Sequence, residues 1–256
     1  DWSATQGDGS EYFPQIGEIA GALDDASLTT SSRKAVFAAG RLATSLRAWK
    51  AAGGKAPQFA PARLVPDPTK VKPEGGKLSA AETRLYAEKA GTRSAARAES
   101  EFDLWTPAGR IVVSGDGDDI HEERDVRLLV DLGGNDLYRE PVGATSSLSL
   151  PVSIAVDLAG DDRYETADEM TATSGAGIFG TGVLVDLAGS DRYTAGRYAQ
   201  GYGFFGTGLL ADFAGDDTYT IGSLGQGAGW WGVGLLFDRR GNDSYFMNGD
   251  GQGYGG

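Results

Sequence analysis

The chain has 256 residues, of which 40 are Gly, one is His and none is Cys, and its formal net charge is −13. This composition excludes disulfides, thiol nucleophiles, Cys-ligated metal centres and the common His-rich metal sites. The acidic balance argues against nucleic acid as a partner, and we expect no transmembrane segment because no apolar run approaches roughly 20 residues.

Residues 1–108 form a predicted helical region. Apolar residues three and four positions apart predict a helix from about Ser31 to Ala52, and a glycine pair ends it. A Pro/Lys/Gly-rich linker follows at 53–78. The capping box at 79–82 predicts a second helix to about Phe102.

Residues 109–256 are a tandem repeat that carries 30 of the 40 Gly and all of the net acidity. The unit is LLVDLGGNDLY at 128–138 and IAVDLAGDDRY at 154–164, and further copies begin at 183, 209 and 235. A first aspartate column recurs with steps of 26, 29, 26 and 26 residues at Asp131, Asp157, Asp186, Asp212 and Asp238. A second aspartate column contains Asp119, Asp136, Asp162, Asp191, Asp217 and Asp243. Two residues after each member of the second column stands a tyrosine, or His121 in the first unit.

The period of 26 residues predicts a mainly β fold, a β-solenoid of about five to six coils beside the helical region. No repeat contains a helix-length amphipathic window, and a propeller blade needs about 40 residues. Equivalent residues of successive coils then stack at about 4.8 Å, with the Leu/Val and Tyr columns filling the interior. The glycine-rich pieces at 175–182, 201–208 and 227–234 predict a third wall. Two of them carry adjacent aromatic pairs, of which one member faces outward in a strand.

The stacked aspartates admit two interpretations. Carboxylates about 4.8 Å apart repel each other by about 3–4 kcal/mol at an effective dielectric of about 20. Either the first column caps turns by accepting backbone N–H bonds, or the columns bind calcium, a hard cation that takes oxygen ligands. The sequence leaves both interpretations open.

The turn Gly134-Asn135-Asp136-Leu137-Tyr138 resembles the end of the calcium-binding nonapeptide of secreted RTX proteins. The segments 160–164 and 241–245 match the same five positions. The resemblance implies calcium on the second aspartate column, tyrosines pointing into the core of a parallel β-roll, and a secreted protein. We therefore predict calcium as the cofactor and both aspartate columns as its ligands.

We predict no catalytic residue. His121 stands in the tyrosine column of the most irregular unit, and no G-x-S-x-G elbow occurs. The predicted function is non-enzymatic: an exported scaffold or docking subunit that contacts other subunits or itself through open solenoid ends and exposed aromatics. The alternative is a carbohydrate-active β-helix that uses Asp162 and Asp191, with Arg163 and Arg192 facing outward.

Overall fold

A computed structural model describes residues 25–54, 102–106, 109–166 and 170–255. In these ranges one helix, α1, spans Asp25–Ala51, so it begins about six residues before the predicted start. Residues 79–101 of the predicted second helix and most of the predicted linker lie outside the described residues, and Phe102, the predicted end of that helix, begins a strand. The strands that follow are β1 (Phe102–Thr106), β2 (Gly109–Val113), β3 (Ile120–His121), β4 (Val126–Asp131), β5 (Leu137–Tyr138), β6 (Val152–Asp157), β7 (Arg163–Glu165), β8 (Gly177–Ile178), β9 (Thr181–Asp186), β10 (Arg192–Arg197), β11 (Gly203–Phe204), β12 (Thr207–Asp212), β13 (Thr218–Ser223), β14 (Gly229–Trp230), β15 (Val233–Asp238) and β16 (Ser244–Met247).

The strands form three sheets that wind into a β-solenoid, as the repeat predicts. The sheet orders are β1-β2-β4-β6-β9-β12-β15, β16-β13-β10-β7-β5-β3 and β14-β11-β8. The solenoid has about 4 turns of about 26 residues, fewer than the predicted five to six. A complete turn needs the third wall, and this wall is formed by the glycine-rich piece. The first two units stand 17 residues apart in the second aspartate column, too few to add that wall.

The sheets are in register with the sequence repeat. Asp157 pairs with Asp186, and Tyr164 pairs with Tyr193, in parallel ladders. The 29-residue step between these units is therefore absorbed outside the paired strands. Three extra residues lie between β7 and β8 relative to the next coil.

The strands of the seven-stranded sheet are apolar on both faces, and a different set of residues packs against each face. Leu210 packs with the buried tyrosines inside the solenoid. Its neighbour Leu209 belongs to the outer cluster, which contains Ala39 and Ala43 of α1. A strand that alternates between two buried faces has the near-continuous apolar sequence seen in these repeats.

Helix α1 lies along the outside of the seven-stranded sheet. Near its beginning, Ser32 Oγ and Thr181 Oγ1 are hydrogen-bonded at 2.7 Å. Near its end, Lys50 Nζ donates to the Leu132 carbonyl at 2.8 Å. Helix α1, the one helix of the described ranges, has no apolar stretch long enough to cross a membrane.

Strand β1 is antiparallel to β2 and is the first strand of the seven-stranded sheet. Across this pair, the buried Arg110 guanidinium donates to both carboxylate oxygens of Asp103, at 2.7 and 3.1 Å. A bidentate pair of this kind fixes orientation as well as contributing energy. The seven-stranded sheet therefore begins with an antiparallel strand that precedes the repeats.

The turns between the long and short walls approach each other closely. A Cβ atom on Gly189 would stand 1.5 Å from the carbonyl oxygen of Gly160 in the preceding coil. Gly215 has the same relation to Gly189, at 1.6 Å. From Gly134 onward, the glycine of each turn is therefore required by the stacking of the coils, whereas Gly117 of the first turn has open space around it.

Candidate functional site

The first aspartate column lies inside the solenoid. Asp157 and Asp186 are 1% and 0% exposed. In each of them Oδ1 accepts the backbone N–H of the residue two positions on, Ala159 at 3.0 Å and Ala188 at 3.2 Å. These are the turn-capping bonds that one interpretation of the sequence predicts, made here by fully enclosed carboxylates.

From Asp157 onward, the second oxygen of each first-column carboxylate accepts a hydrogen bond from a tyrosine of the preceding coil, whereas Asp131 Oδ2 contacts Ser114 and His121. Tyr164 donates its hydroxyl to Asp186 Oδ2 at 2.7 Å, and Tyr193 donates to Asp212 Oδ2 at 2.8 Å. The column of rings is parallel, with centroids 4.6 Å apart between Tyr164 and Tyr193. The repeat pattern predicts rings inside the solenoid, but it does not predict this pairing. The signal was the choice of Tyr in all five later units, since Phe would fill an apolar core equally well.

The second aspartate column joins successive turns through backbone bonds. Asp162 Oδ1 accepts the N–H of Asp136 at 2.6 Å, and Asp191 Oδ1 accepts the N–H of Asp162 at 2.7 Å. The other oxygen of these carboxylates is buried without a hydrogen-bond partner. This holds for Oδ2 of Asp136, Asp162, Asp191 and Asp217.

The two columns meet in the interior and form groups of three ligand atoms that lie within 4.8 Å of one another. The five groups are His121/Asp131/Asp136, Asp136/Asp157/Asp162, Asp162/Asp186/Asp191, Asp191/Asp212/Asp217 and Asp217/Asp238/Asp243. Ten of the eleven predicted ligand aspartates thus come together. Asp119 belongs to none of these groups, although its backbone N–H donates to Asp136 Oδ1 at 2.6 Å. The arrangement is suited to a cation because only oxygen ligands meet in four of the five groups.

Burial changes the proton affinity of these carboxyls. Removal from water, the largest effect, raises the pKa of Asp162 to about 8 and that of Asp191 to about 10. The negative charge of Asp186 raises both further, while the backbone N–H bonds oppose the rise. Burial and then the charge of Asp186 also raise the pKa of Asp157 well above its usual range. In the absence of other cations, protons therefore neutralise part of the row near neutral pH.

The beginning of the row is built differently. His121 stacks on Tyr138 with ring centroids 4.5 Å apart, so it continues the tyrosine column. Its Nε2 lies 2.8 Å from Asp131 Oδ2, and its Nδ1 lies 3.1 Å from Glu123 Oε2. Both ring nitrogens of His121 therefore face carboxylate oxygens. The first group of the row thus contains an imidazole nitrogen, where the later groups contain only carboxylate oxygens.

The aromatic pairs lie at corners of the third wall rather than within a strand. Phe205 and Trp231, the second members of the pairs, have φ angles of 42° and 48°. Trp230 and Trp231 are 38% and 46% exposed, so both members of that pair face solvent. The expectation of one inward and one outward ring is wrong for this pair, because the strand ends at its first member.

The site and fold define a β-solenoid with an interior row of carboxylates. A scan of protein-family models, a search of curated proteins and a search of solved structures each find no match to this chain. The interpretation of the site therefore depends on its own geometry.

Proposed function

We propose that the protein is a non-enzymatic scaffold whose last described coil docks a second copy, and that calcium stabilises the solenoid from inside. The observation that carries the docking proposal is the exposure of this terminal coil, residues 229–254. Eight large apolar side chains of the coil are exposed by 38% or more: Trp230, Trp231, Val233, Leu235, Phe237, Tyr245, Phe246 and Tyr254. Clusters of exposed apolar residues of this size mark interaction surfaces.

Backbone groups support the same proposal. Strands β15 and β16 are the last strands of their sheets, so each presents an unpaired edge. Such an edge pairs with another strand unless it is covered or charged. The end strand on the opposite side of the long sheet, β1, runs antiparallel to β2, which disfavours head-to-tail stacking that continues the parallel ladder. Pairing of two terminal coils around a twofold axis uses the open edges of both copies and closes at a dimer.

The predicted alternative, a carbohydrate-active β-helix, requires its acids in an outer cleft. Asp162 and Asp191 are 1% and 2% exposed, and both point into the interior row. Arg163 is on the outside, where it donates to Glu165 at 2.9 Å. No observation on the described residues favours this alternative over the scaffold. Export is proposed from the resemblance of the turns to secreted repeats, and fractionation of native cells tests it.

The docking proposal is tested by sedimentation velocity over a wide range of protein concentration. The wild type is expected to shift from monomer to dimer as concentration rises. Phe246→Lys places a charge on the exposed edge of β16 and is expected to keep the protein monomeric at the highest concentration. Phe37→Lys, the matched control on the exposed side of α1, leaves the dimer intact. A wild type that stays monomeric throughout overturns the docking proposal.

A further inference from the structure

Three of the carboxylate groups are enclosed and consist of aspartates only. We name them by their place in the row: site 1 is Asp136/Asp157/Asp162, site 2 is Asp162/Asp186/Asp191 and site 3 is Asp191/Asp212/Asp217. All of these side chains are buried. Neighbouring sites share one carboxylate, Asp162 or Asp191, so the three sites form a continuous row along the solenoid.

One oxygen in each coil lacks a partner in this row. The turn amides and tyrosine hydroxyls satisfy both oxygens of Asp157 and Asp186. In contrast, Oδ2 of Asp162 and Oδ2 of Asp191 are buried without a hydrogen-bond partner. A buried carboxylate oxygen is normally hydrogen-bonded or coordinated to a cation. The unpartnered oxygen belongs to the same groups in which the ligand atoms converge.

The charge of the row indicates how many cations it takes. Each further coil adds one aspartate to each column, for example Asp186 and Asp191, and therefore two buried negative charges. One divalent cation for each coil balances this addition, whereas one monovalent cation balances half of it. The aromatic and aliphatic lining of the interior contributes no positive charge at sites 1 to 3.

The ligand type and spacing select the cation. Calcium binds oxygen ligands at about 2.3–2.6 Å, so oxygens on opposite sides of the ion are about 4.6–5.2 Å apart. The converging atoms of each site lie within 4.8 Å of one another, and none is nitrogen or sulfur in sites 1 to 3. We infer that the interior of the solenoid holds a row of calcium ions, one at each of sites 1 to 3, with carboxylates from both aspartate columns as ligands.

The two ends of the row differ from these sites. At the beginning, the His121 imidazole lies 2.8 Å from Asp131, so this group contains a nitrogen and lacks the all-oxygen ligand set of sites 1 to 3. At the other end, Asp238 and Asp243 are only half-buried, so water competes with their carboxylates for a cation. The expected content of enclosed ions is therefore three for each chain.

This inference rests on the calcium part of the proposed function and is independent of docking. The test uses the full chain, freed of metal by a chelator and then dialysed against calcium, with bound calcium measured by elemental analysis. Asp162→Asn removes the carboxylate that sites 1 and 2 share, while its remaining oxygen still accepts the Asp136 N–H. Asp161→Asn is the matched control, because Asp161 is exposed and the equivalent position 135 is already Asn.

Wild type and Asp161→Asn are expected to hold three enclosed calcium ions per chain and to melt at a higher temperature in calcium than in chelator. Asp162→Asn is expected to hold one, with a smaller calcium-dependent rise in melting temperature. A wild type that binds no calcium and melts at the same temperature in both buffers overturns the inference, as does Asp162→Asn retaining three ions. Sedimentation in the same buffers separates the proposals: calcium bound by a protein that never dimerises refutes docking alone.

Discussion

At the scale of single residues, the interior depends on a hydroxyl group that reaches from one coil to the next. Tyr193 donates to Asp212 at 2.8 Å and lies 3.3 Å from Asp186, and its ring is fully buried. The tyrosine therefore has two roles, filling the core with its ring and solvating a buried carboxylate with its hydroxyl. A buried acceptor that loses its donor costs about 1–3 kcal/mol.

The Tyr193→Phe variant is expected to lower the free energy of unfolding by about 1–3 kcal/mol, because the ring stays and only the donor is removed. Urea denaturation followed by circular dichroism measures the change. Tyr254→Phe, which removes a hydroxyl from a half-exposed ring, serves as the control and is expected to change stability little. Equal stability of the two variants contradicts a role for the Tyr193 hydroxyl.

The position of the first aspartate column shows what the sequence does and does not predict. Leu210 and Asp212 are two residues apart on one strand, so they face the same side, and the apolar column marks that side as the interior. The high cost of burying a carboxylate argues for the outside instead. The structure resolves the conflict through hydroxyls from the preceding coil, a contact 19 residues away that strand patterning does not contain. The pairing of Tyr with Asp becomes apparent only when successive coils are placed one above another.

At the scale of elements, the repeat predicts how successive coils stack, but it does not predict which element covers the outer face of the solenoid. The steps between Asp131 and Asp238 predict the observed register of the long strands. The number of coils is overestimated, because the first units share the turn sequence but not the third wall. The position of α1 is not specified by its own sequence. It follows from the outer face of the long sheet, whose apolar residues at Val156 and Val185 need a cover.

Close stacking of the turns also determines whether each glycine can be replaced by a larger residue. Gly189→Ala is expected to lower the free energy of unfolding by about 3 kcal/mol, the upper end for overpacking, because its Cβ would overlap the Gly160 carbonyl oxygen of the preceding coil. Gly117→Ala is the matched control in an earlier turn, where nothing lies within 4 Å of the added Cβ. Urea denaturation of both variants measures the difference. A Gly189→Ala protein as stable as Gly117→Ala would show that the coils separate there at little cost.

At the scale of the whole molecule, the row of carboxylates links folding to pH. Burial raises the pKa of Asp136 and Asp217 to about 7, of Asp162 and Asp212 to about 8, and of Asp191 to about 10. An unfolded aspartate has a pKa of about 3.9, so above that pH the folded chain binds more protons than the unfolded chain. The contribution of these carboxyls to the free energy of unfolding is therefore fully present below about pH 4, and it is lost as the pH rises through their pKa values in the folded chain.

In chelator, the free energy of unfolding is accordingly expected to fall between pH 5 and 9, by about 1.4 kcal/mol per pH unit for each carboxyl that is protonated only in the folded state. Urea denaturation at a series of pH values measures the slope. Asp191→Asn removes one such carboxyl but keeps its shape, so its slope is expected to be shallower by about that amount. Asp216→Asn, an exposed turn position that is Asn in the next coil, keeps the wild-type slope because water already solvates that carboxylate. Stability that rises with pH over this range would mean that the buried row is charged without protons or metal, which the low polarity of the interior opposes.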